Sequence, residues 1–466
     1  MATPDFVIVG AGPAGVRAAE LLVAAGHRPM VIDEAPASGG QIYRRQPAGF
    51  TRSPEKLYGT EAAKAVSIHA TFDALKDRID YRPEHLAWAL RDGALHVIGP
   101  DNGTETVRPR ALILCPGATD RVFALPGWTQ PGVYTLGAAQ ISLKAQAMAI
   151  GRRIVFMGAG PLLYLVAWQY MKAGAAPVAV LDTSGMADRL KGVGRMAARP
   201  GVMRLGLKLI ADLRSAGVPI HTSITSRGFE GDGTAVTGVR FTDRKGAGQV
   251  IACDAAGFGW HLRAETQLAD LAGVPFAFDH GLRQWMPQVD PMGRTPVAGV
   301  YMAGDGMQLA GADGAEASGR LAARAALADL GLGEDQAGTR ADLRLNAKMR
   351  RFRDGVFAAF PFAGPKLAAQ IPDATVVCRC EEITAGQIRA AAKDLGAPEM
   401  NRAKALCRLG MGRCQGRYCA LAGAEILAEA LGQPVEAVGR LRGQAPVKPL
   451  PADLHIRDTE TERTGQ

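Results

Sequence analysis

Short apolar runs alternate with helix-period segments along the first 330 residues. Residues 6–9 form a β-branched run that enters a glycine turn, Gly10-Ala-Gly-Pro-Ala-Gly15. A helical pattern over 16–25 follows, Gly26 ends it, and 29–32 is the next apolar run. The same order recurs at 154–157, 158–163, 164–172 and 178–181. Strand, glycine turn, helix and parallel strand make a βαβ unit, so the pattern predicts an α/β chain with two Rossmann-like units. Further apolar strands at 111–114 and 299–303 each end in a glycine turn, and a helix is expected over 315–330. The stretch 154–171 lacks charge. Its internal Gly158-Ala-Gly160-Pro161 reads as strand, turn and helix rather than a membrane span.

The first turn carries chemistry. Gly10 permits a tight turn, Gly12 lets the backbone approach a pyrophosphate, and Gly15 lets the helix close on the strand. The N-terminus of the following helix favours phosphate, and Pro13 and Ala14 within the turn are counted among the cofactor-binding residues. Asp33, with seventeen residues between it and Gly15, ends the second strand and is placed to accept from a ribose hydroxyl, with Glu34 as the alternative if the register slips by one. In the second unit the third glycine position is occupied by Leu163. Its side chain is expected to push the helix outward, so NADH binding is not expected there, and with no arginine cluster after Asp182, NADP still less. The segment 183–217 reads as an amphipathic excursion with apolar spacing at Met203, Leu207 and Ile210, most simply for core packing.

Composition narrows the classes. The chain has 466 residues, 47% hydrophobic and 21% charged, which excludes a disordered or fibrous protein. The net charge of +9 suits an acidic partner subunit or an anionic cofactor; with 6% aromatics and no basic run interleaved with them, nucleic-acid binding is not expected. The N-terminus has no signal-peptide pattern. A basic segment over 340–353, including Arg344, Lys348, Arg350 and Arg351, reads as a helical linker with a solvated face. His261 could approach a flavin, although a loop-capping role is commoner for such a residue.

Seven cysteines do not form a disulfide framework in a chain this long. Cys115 and Cys253 are isolated, Cys407 matches no ligand position, and no Cys-x-x-Cys occurs. Cys378-Arg-Cys380 and, after 33 intervening residues, Cys414-x4-Cys419 are four thiolates in two close pairs. Such a set suits zinc or an iron–sulfur cluster and a reducing compartment. Arg379, Arg408, Arg413 and Arg417 lie near enough in sequence to offset a negative cluster.

Residues 1–330, with Gly39-Gly-Gln-Ile-Tyr43, Gly117 and Gly304-Asp305, resemble the two-dinucleotide-domain flavoproteins that include thioredoxin and glutathione reductases. The resemblance implies FAD held by Gly10, Gly12, Gly15, Asp33, Gly40, Gln41, Gly117, Gly304 and Asp305. The missing redox dithiol argues against disulfide reduction. The cysteine pattern within Met411-Gly-x-Cys-Gln-Gly-x-x-Cys419 resembles the bacterioferritin-associated-ferredoxin-like domain, which implies a [2Fe–2S] cluster on Cys378, Cys380, Cys414 and Cys419.

Over the whole length, Gly39-Gly-Gln-Ile-Tyr-Arg-Arg45, Phe123-Ala-Leu-Pro-Gly-Trp128, Thr135-Leu-Gly-Ala-Ala-Gln140, Gln415-Gly-Arg-Tyr-Cys419 and Gly439-Arg-Leu-Arg-Gly-Gln-Ala-Pro446 resemble the larger (α) subunit of bacterial heteromeric amine dehydrogenases. That group covers opine oxidases, D-hydroxyproline and L-proline dehydrogenases, and a cyanide synthase subunit. The resemblance implies a β subunit of the D-amino-acid-oxidase type that oxidises a secondary amine at its C–N bond. It also implies a small third subunit or an interfacial FMN in some members, ATP in place of FAD in some archaeal ones, and a quinone or carrier as acceptor. No catalytic constellation is expected on this chain. The runner-up is a free-standing NADH-dependent flavin reductase, and a third reading is a non-catalytic scaffold. The expected organisation is an FAD domain at 1–120 closed by 271–330, a Rossmann-like domain at 121–270, a linker at 331–370, the cluster domain at 371–435 and a tail at 436–466. The expected location is cytoplasmic, with a peripheral position at the inner membrane face left open.

Overall fold

The computed structural model describes residues 4–47 and 49–456; the last ten residues of the tail lie outside the described residues. Phe6–Val9 is the middle strand of a parallel five-stranded sheet, ordered Val300–Met302, Ala111–Leu114, Phe6–Val9, Met30–Ile32, Asp80–Arg82. A second parallel sheet runs Ile220–Thr222, Ala176–Asp182, Arg153–Ala159, Ala255–Trp260, Val133–Thr135. Both central strands read as continuous apolar runs because helices cover both faces of a parallel sheet. An antiparallel meander, Thr225–Gly231, Val236–Thr242 and Gly248–Ala252, is inserted in the second unit.

The helix Pro13–Ala24 begins one turn earlier than the apolar pattern suggested, with Pro13 at its first position. It packs on Gly311–Asp329 so closely that a Cβ at Gly319 would overlap the Ala14 carbonyl. The second unit's helix, Pro161–Lys172, likewise starts at its proline.

The excursion is two helices, Met186–Met196 and Pro200–Ser215. The expected stripe is corrected at Leu207, which is exposed; Ile210 and the buried Leu213 join the core cluster of Tyr164 and Val166, because the second helix docks on Pro161–Lys172 through them. The basic linker is a 24-residue helix, Gln336–Ala359. Arg344, Lys348, Arg350 and Arg351 face solvent. Its other side packs against Met186–Met196 and Gly311–Asp329, with Gly192 and Gly355 at the closest approach.

The C-terminal domain has a two-stranded ribbon, Val376–Cys378 with Ile383–Thr384, and helices Ala385–Lys393, Met400–Cys407 and Ala420–Leu431. Thr384 and Gln387 form a reciprocal capping box on the first of these helices. Arg283 binds Glu425 through two hydrogen bonds and Arg440 binds Asp270 in the same way, joining this domain and the tail to the flavoprotein-like body. No described helix is long and apolar enough to cross a membrane.

Candidate functional site

The first glycine turn is built by crowding on one side and openness on the other. A Cβ at Gly10 would overlap the Cys115 carbonyl oxygen, and one at Gly15 would overlap the Gly10 carbonyl oxygen. A Cβ at Gly12 would meet only Gly40 Cα at 3.6 Å. Gly12 therefore presents bare backbone to a cradle whose opposite wall is Gly40, where the positive φ of +62° favours glycine. The helix behind has no acidic residue in its first turn and no side-chain cap, leaving its N-terminal field unopposed. Gly117, at φ +72°, faces open space, and Gly304 brings the Asp305 turn against Ala14. Gln41 is exposed and accepts from Arg44 Nη2 at 2.7 Å. These features fit the diphosphate of a dinucleotide such as FAD.

The two adjacent acids have different surroundings. Both oxygens of buried Asp33 are used by main chain, Oδ2 by Ala11 N–H at 2.5 Å and Oδ1 by Ala35 N–H at 2.7 Å. Burial raises its pKa against those two hydrogen bonds. Glu34 is half-exposed and pairs with Lys448 of the tail. Asp33 thus braces the glycine loop, while Glu34 beside it turns outward to Lys448. Asp305 accepts from Gly311 N–H at 2.9 Å; burial pushes its carboxyl upward against the Gly311 and Ala310 amides.

The second turn is covered by the chain itself. A Cβ at Gly160 would meet the His261 ring at 3.0 Å. That ring stacks on Phe357, with centroids 4.2 Å apart, and bonds the Phe360 carbonyl at 2.5 Å. His261 therefore ties down the end of the linker helix rather than serving a flavin. Asp182, the ribose-acid counterpart, is sealed: Oδ1 accepts from Ser184 Oγ at 2.6 Å, and Oδ2 from Tyr164 at 2.5 Å and Arg189 at 2.9 Å. Leu163 does not displace its helix, which is a correction. Its side chain is completely buried in a cluster with Leu136, Phe156, Val166 and Val180, a place the core made for it. Leu163→Ala is accordingly expected to lose about 2–5 kcal/mol in denaturant unfolding without creating NADH binding.

Burial lowers the pKa of His261 to about 4. The unfolded chain, with an ordinary histidine near 6.5, binds more protons below that pH, so this contribution is complete above about 6.5 and is lost as the pH falls toward 4. It amounts to at most roughly 3 kcal/mol. The fall in Tm between pH 7 and 5 is expected to be smaller in His261→Phe than in the wild type.

The four C-terminal thiols converge. Cys378 and Cys419 are buried, and Cys380 and Cys414 are partly so. The Cys419 sulfur lies within hydrogen-bonding reach of both Cys378 and Cys414, which pulls those two thiols down and Cys419 up, and Cys380 contacts Cys414. Among the described residues no three His, Cys, Asp or Glu side chains surround a single ion; the thiols meet pairwise. Backbone amides of Gly410, Glu381 and Cys380 point at Cys378, and those of Tyr418 and Gly416 at Cys414. A Cβ at Gly412 would overlap that of Cys380, so only glycine lets the two ligand loops close. Four thiols in two pairs with amides aimed at sulfur fit a binuclear iron–sulfur cluster. Cys407 is partly buried and packs with the domain's core.

The nearby arginines are partly spent elsewhere. Arg408 pairs with Glu381 at 2.8 Å, and Arg379 sits 4.6 Å over the Tyr418 ring and 5.6 Å over Trp128. Arg417 pairs with Glu265 at 2.8 Å. Glu265 and Arg263, which donates to the Arg417 carbonyl at 2.8 Å, were missed in the sequence. The available signal was charge at alternate positions directly after the buried strand Ala255–Trp260, which places both side chains on one face.

Two nucleotide-fold units joined to a four-thiol domain define an oxidoreductase that carries FAD and a [2Fe–2S] cluster. Residues 4–325 match the pyridine nucleotide-disulphide oxidoreductase family and 376–429 the BFD-like [2Fe-2S] binding domain. The chain is 38% identical to the A-type subunit of opine oxidase from Rhizobium meliloti, covering 96% of this chain and 86% of that protein. It is 30% identical to hydrogen cyanide synthase subunit HcnB of Pseudomonas aeruginosa, covering 96% and 97%. It belongs to the pyridine nucleotide-disulphide oxidoreductase family and, within it, to the family of opine oxidase A-type subunits. The fold is shared with L-proline dehydrogenase of P. horikoshii, at TM-score 0.68 and 18% identity over 98% of this chain and 80% of that one. Thioredoxin reductase of T. acidophilum matches at TM-score 0.52 and 20% identity over 71% and 99%.

Proposed function

We propose that the chain is the electron-transfer subunit of a heteromeric amine dehydrogenase, its substrate a secondary-amine amino acid of the opine, hydroxyproline or proline type bound mainly by a β subunit of the D-amino-acid-oxidase type. The observation that carries this reading is the covered second turn: His261, Phe357 and the Tyr164–Asp182–Arg189 group occupy the place where NADH would enter. Electrons must then come from elsewhere, and the relatives' names as subunits support a partner. When bound, FAD accepts an electron pair and the cluster moves single electrons. The chain's own residues bind and orient: Gly12 and Gly40 admit the diphosphate, Asp33 braces their loop, Glu34 takes the ribose, and Cys378, Cys380, Cys414 and Cys419 hold iron. The acceptor is a quinone or carrier, and the assembly works in the cytoplasm.

Anaerobic mixing tests this. NADH alone is expected to leave the flavin absorbance unchanged, and the co-purified partner plus amine to bleach it. Rapid bleaching by NADH in the isolated chain would establish the free-standing reductase instead.

A further inference from the structure

The segment 262–267 touches both candidate cofactor sites. Leu262–Ala264 pairs antiparallel with Ala118–Asp120. Glu265 N–H donates to the Gly117 carbonyl at 3.0 Å, and a Cβ at Gly306 would lie 3.3 Å from the Glu265 carbonyl, so the segment's backbone packs on the Gly117 and Asp305 turns. Its side chains grip the loop that carries Cys414 and Cys419. Arg263 Nη1 donates to the Arg417 carbonyl at 2.8 Å, and Gln267 Nε2 to the Gln415 carbonyl at 2.8 Å. Arg417 Nε donates to Glu265 Oε2 at 2.8 Å. Two cations and one carboxylate thus sit together at the ligand loop, with Arg263 and Glu265 reaching it from outside its own domain.

Burial works to raise the Glu265 carboxyl, but Arg417 and Arg263 outweigh it and hold the group ionised. Its negative charge cancels one arginine and leaves one. Reduction adds a negative charge to a four-thiolate cluster, so a fixed neighbouring cation favours the reduced state and an anion opposes it.

We propose that Arg263 is a positioning residue that holds the Cys414–Cys419 loop and raises the cluster's reduction potential, with Glu265 as the opposing charge. This rests on the cluster assignment. Elsewhere around the ligands, Arg408 is exposed and paired, and Arg379 is stacked on rings.

The test is a redox titration of the full-length holoprotein followed by electron spin resonance. Arg263→Gln is expected to make cluster reduction about tenfold less favourable, about 59 mV for a one-electron couple. Arg263→Lys should keep most of the wild-type potential, and Glu265→Gln should shift it upward. Opposite shifts are a signature that a merely structural role would not produce. An unshifted potential, or shifts in the same direction, in Arg263→Gln and Glu265→Gln overturns the role while the cluster stands. If Arg263→Gln fails to retain iron, Glu265→Gln decides: an upward shift upholds the role and an unchanged potential overturns it. Absence of a reduced-cluster signal in the wild type overturns the cluster assignment and this role with it.

Discussion

Gly12→Val is expected to strip the flavin and leave the fold standing. The backbone at Gly12 is extended, with φ −76° and ψ −176°, which valine adopts without strain. Only Gly40 Cα lies near the new Cβ, and the rest of the side chain projects into the cradle that admits a diphosphate. FAD affinity should fall by at least about 100-fold, roughly 2.7 kcal/mol, while Tm in the absence of flavin stays near that of the flavin-free wild type. Gly15→Ala should behave in the opposite way. Its Cβ would overlap the Gly10 carbonyl, so helix and strand must separate. A stability loss on the order of 3 kcal/mol is expected with flavin present or absent. Flavin fluorescence after ultrafiltration, beside denaturant unfolding of both flavin-free variants, distinguishes a blocked cradle from a sprung one.

Cys414→Ser should lose most of its iron and sulfide and the visible absorbance they give. Cys414 contacts both Cys380 and Cys419, so its removal takes out a thiol that links the two pairs. The candidate FAD turn belongs to another sheet, built from Phe6–Val9, Met30–Ile32 and Val300–Met302 among its strands. Flavin content should therefore match the wild type. Cys407→Ser is the control: as packing rather than ligand, it should retain iron. Metal analysis of the two variants after anaerobic purification reads both outcomes, and equal iron in both would remove Cys414 from the ligand set.

The parts of the fold set by local pattern were legible in the sequence. Phe6–Val9 matches its apolar run, and the glycine turn, parallel strands and cysteine spacing follow from short-range chemistry that spacing exposes. Local pattern does not reach what distant segments decide. The sequence offered both Asp33 and Glu34, and nothing between residues 15 and 40 shows that both oxygens of Asp33 accept from the Ala11 and Ala35 amides. Leu163 looked disruptive because the fingerprint describes the turn and not the core behind it; Leu136 and Phe156 shape that core from other elements. The basic linker's helix and solvated face were legible, while its contact through Gly355 rests on a residue with no side chain to signal it. Arg263 and Glu265 act on a loop about 150 residues away, a relation that only the folded chain reveals.

The most direct test of the proposed electron-transfer role is the cofactor inventory of the anaerobically purified wild-type chain, read together with its spin resonance after chemical reduction. One FAD, two irons and two acid-labile sulfides per chain, with a reduced-cluster signal at low temperature, is the expected result. One zinc per chain, no labile sulfide and no signal would contradict it and leave the four thiols as a structural metal site.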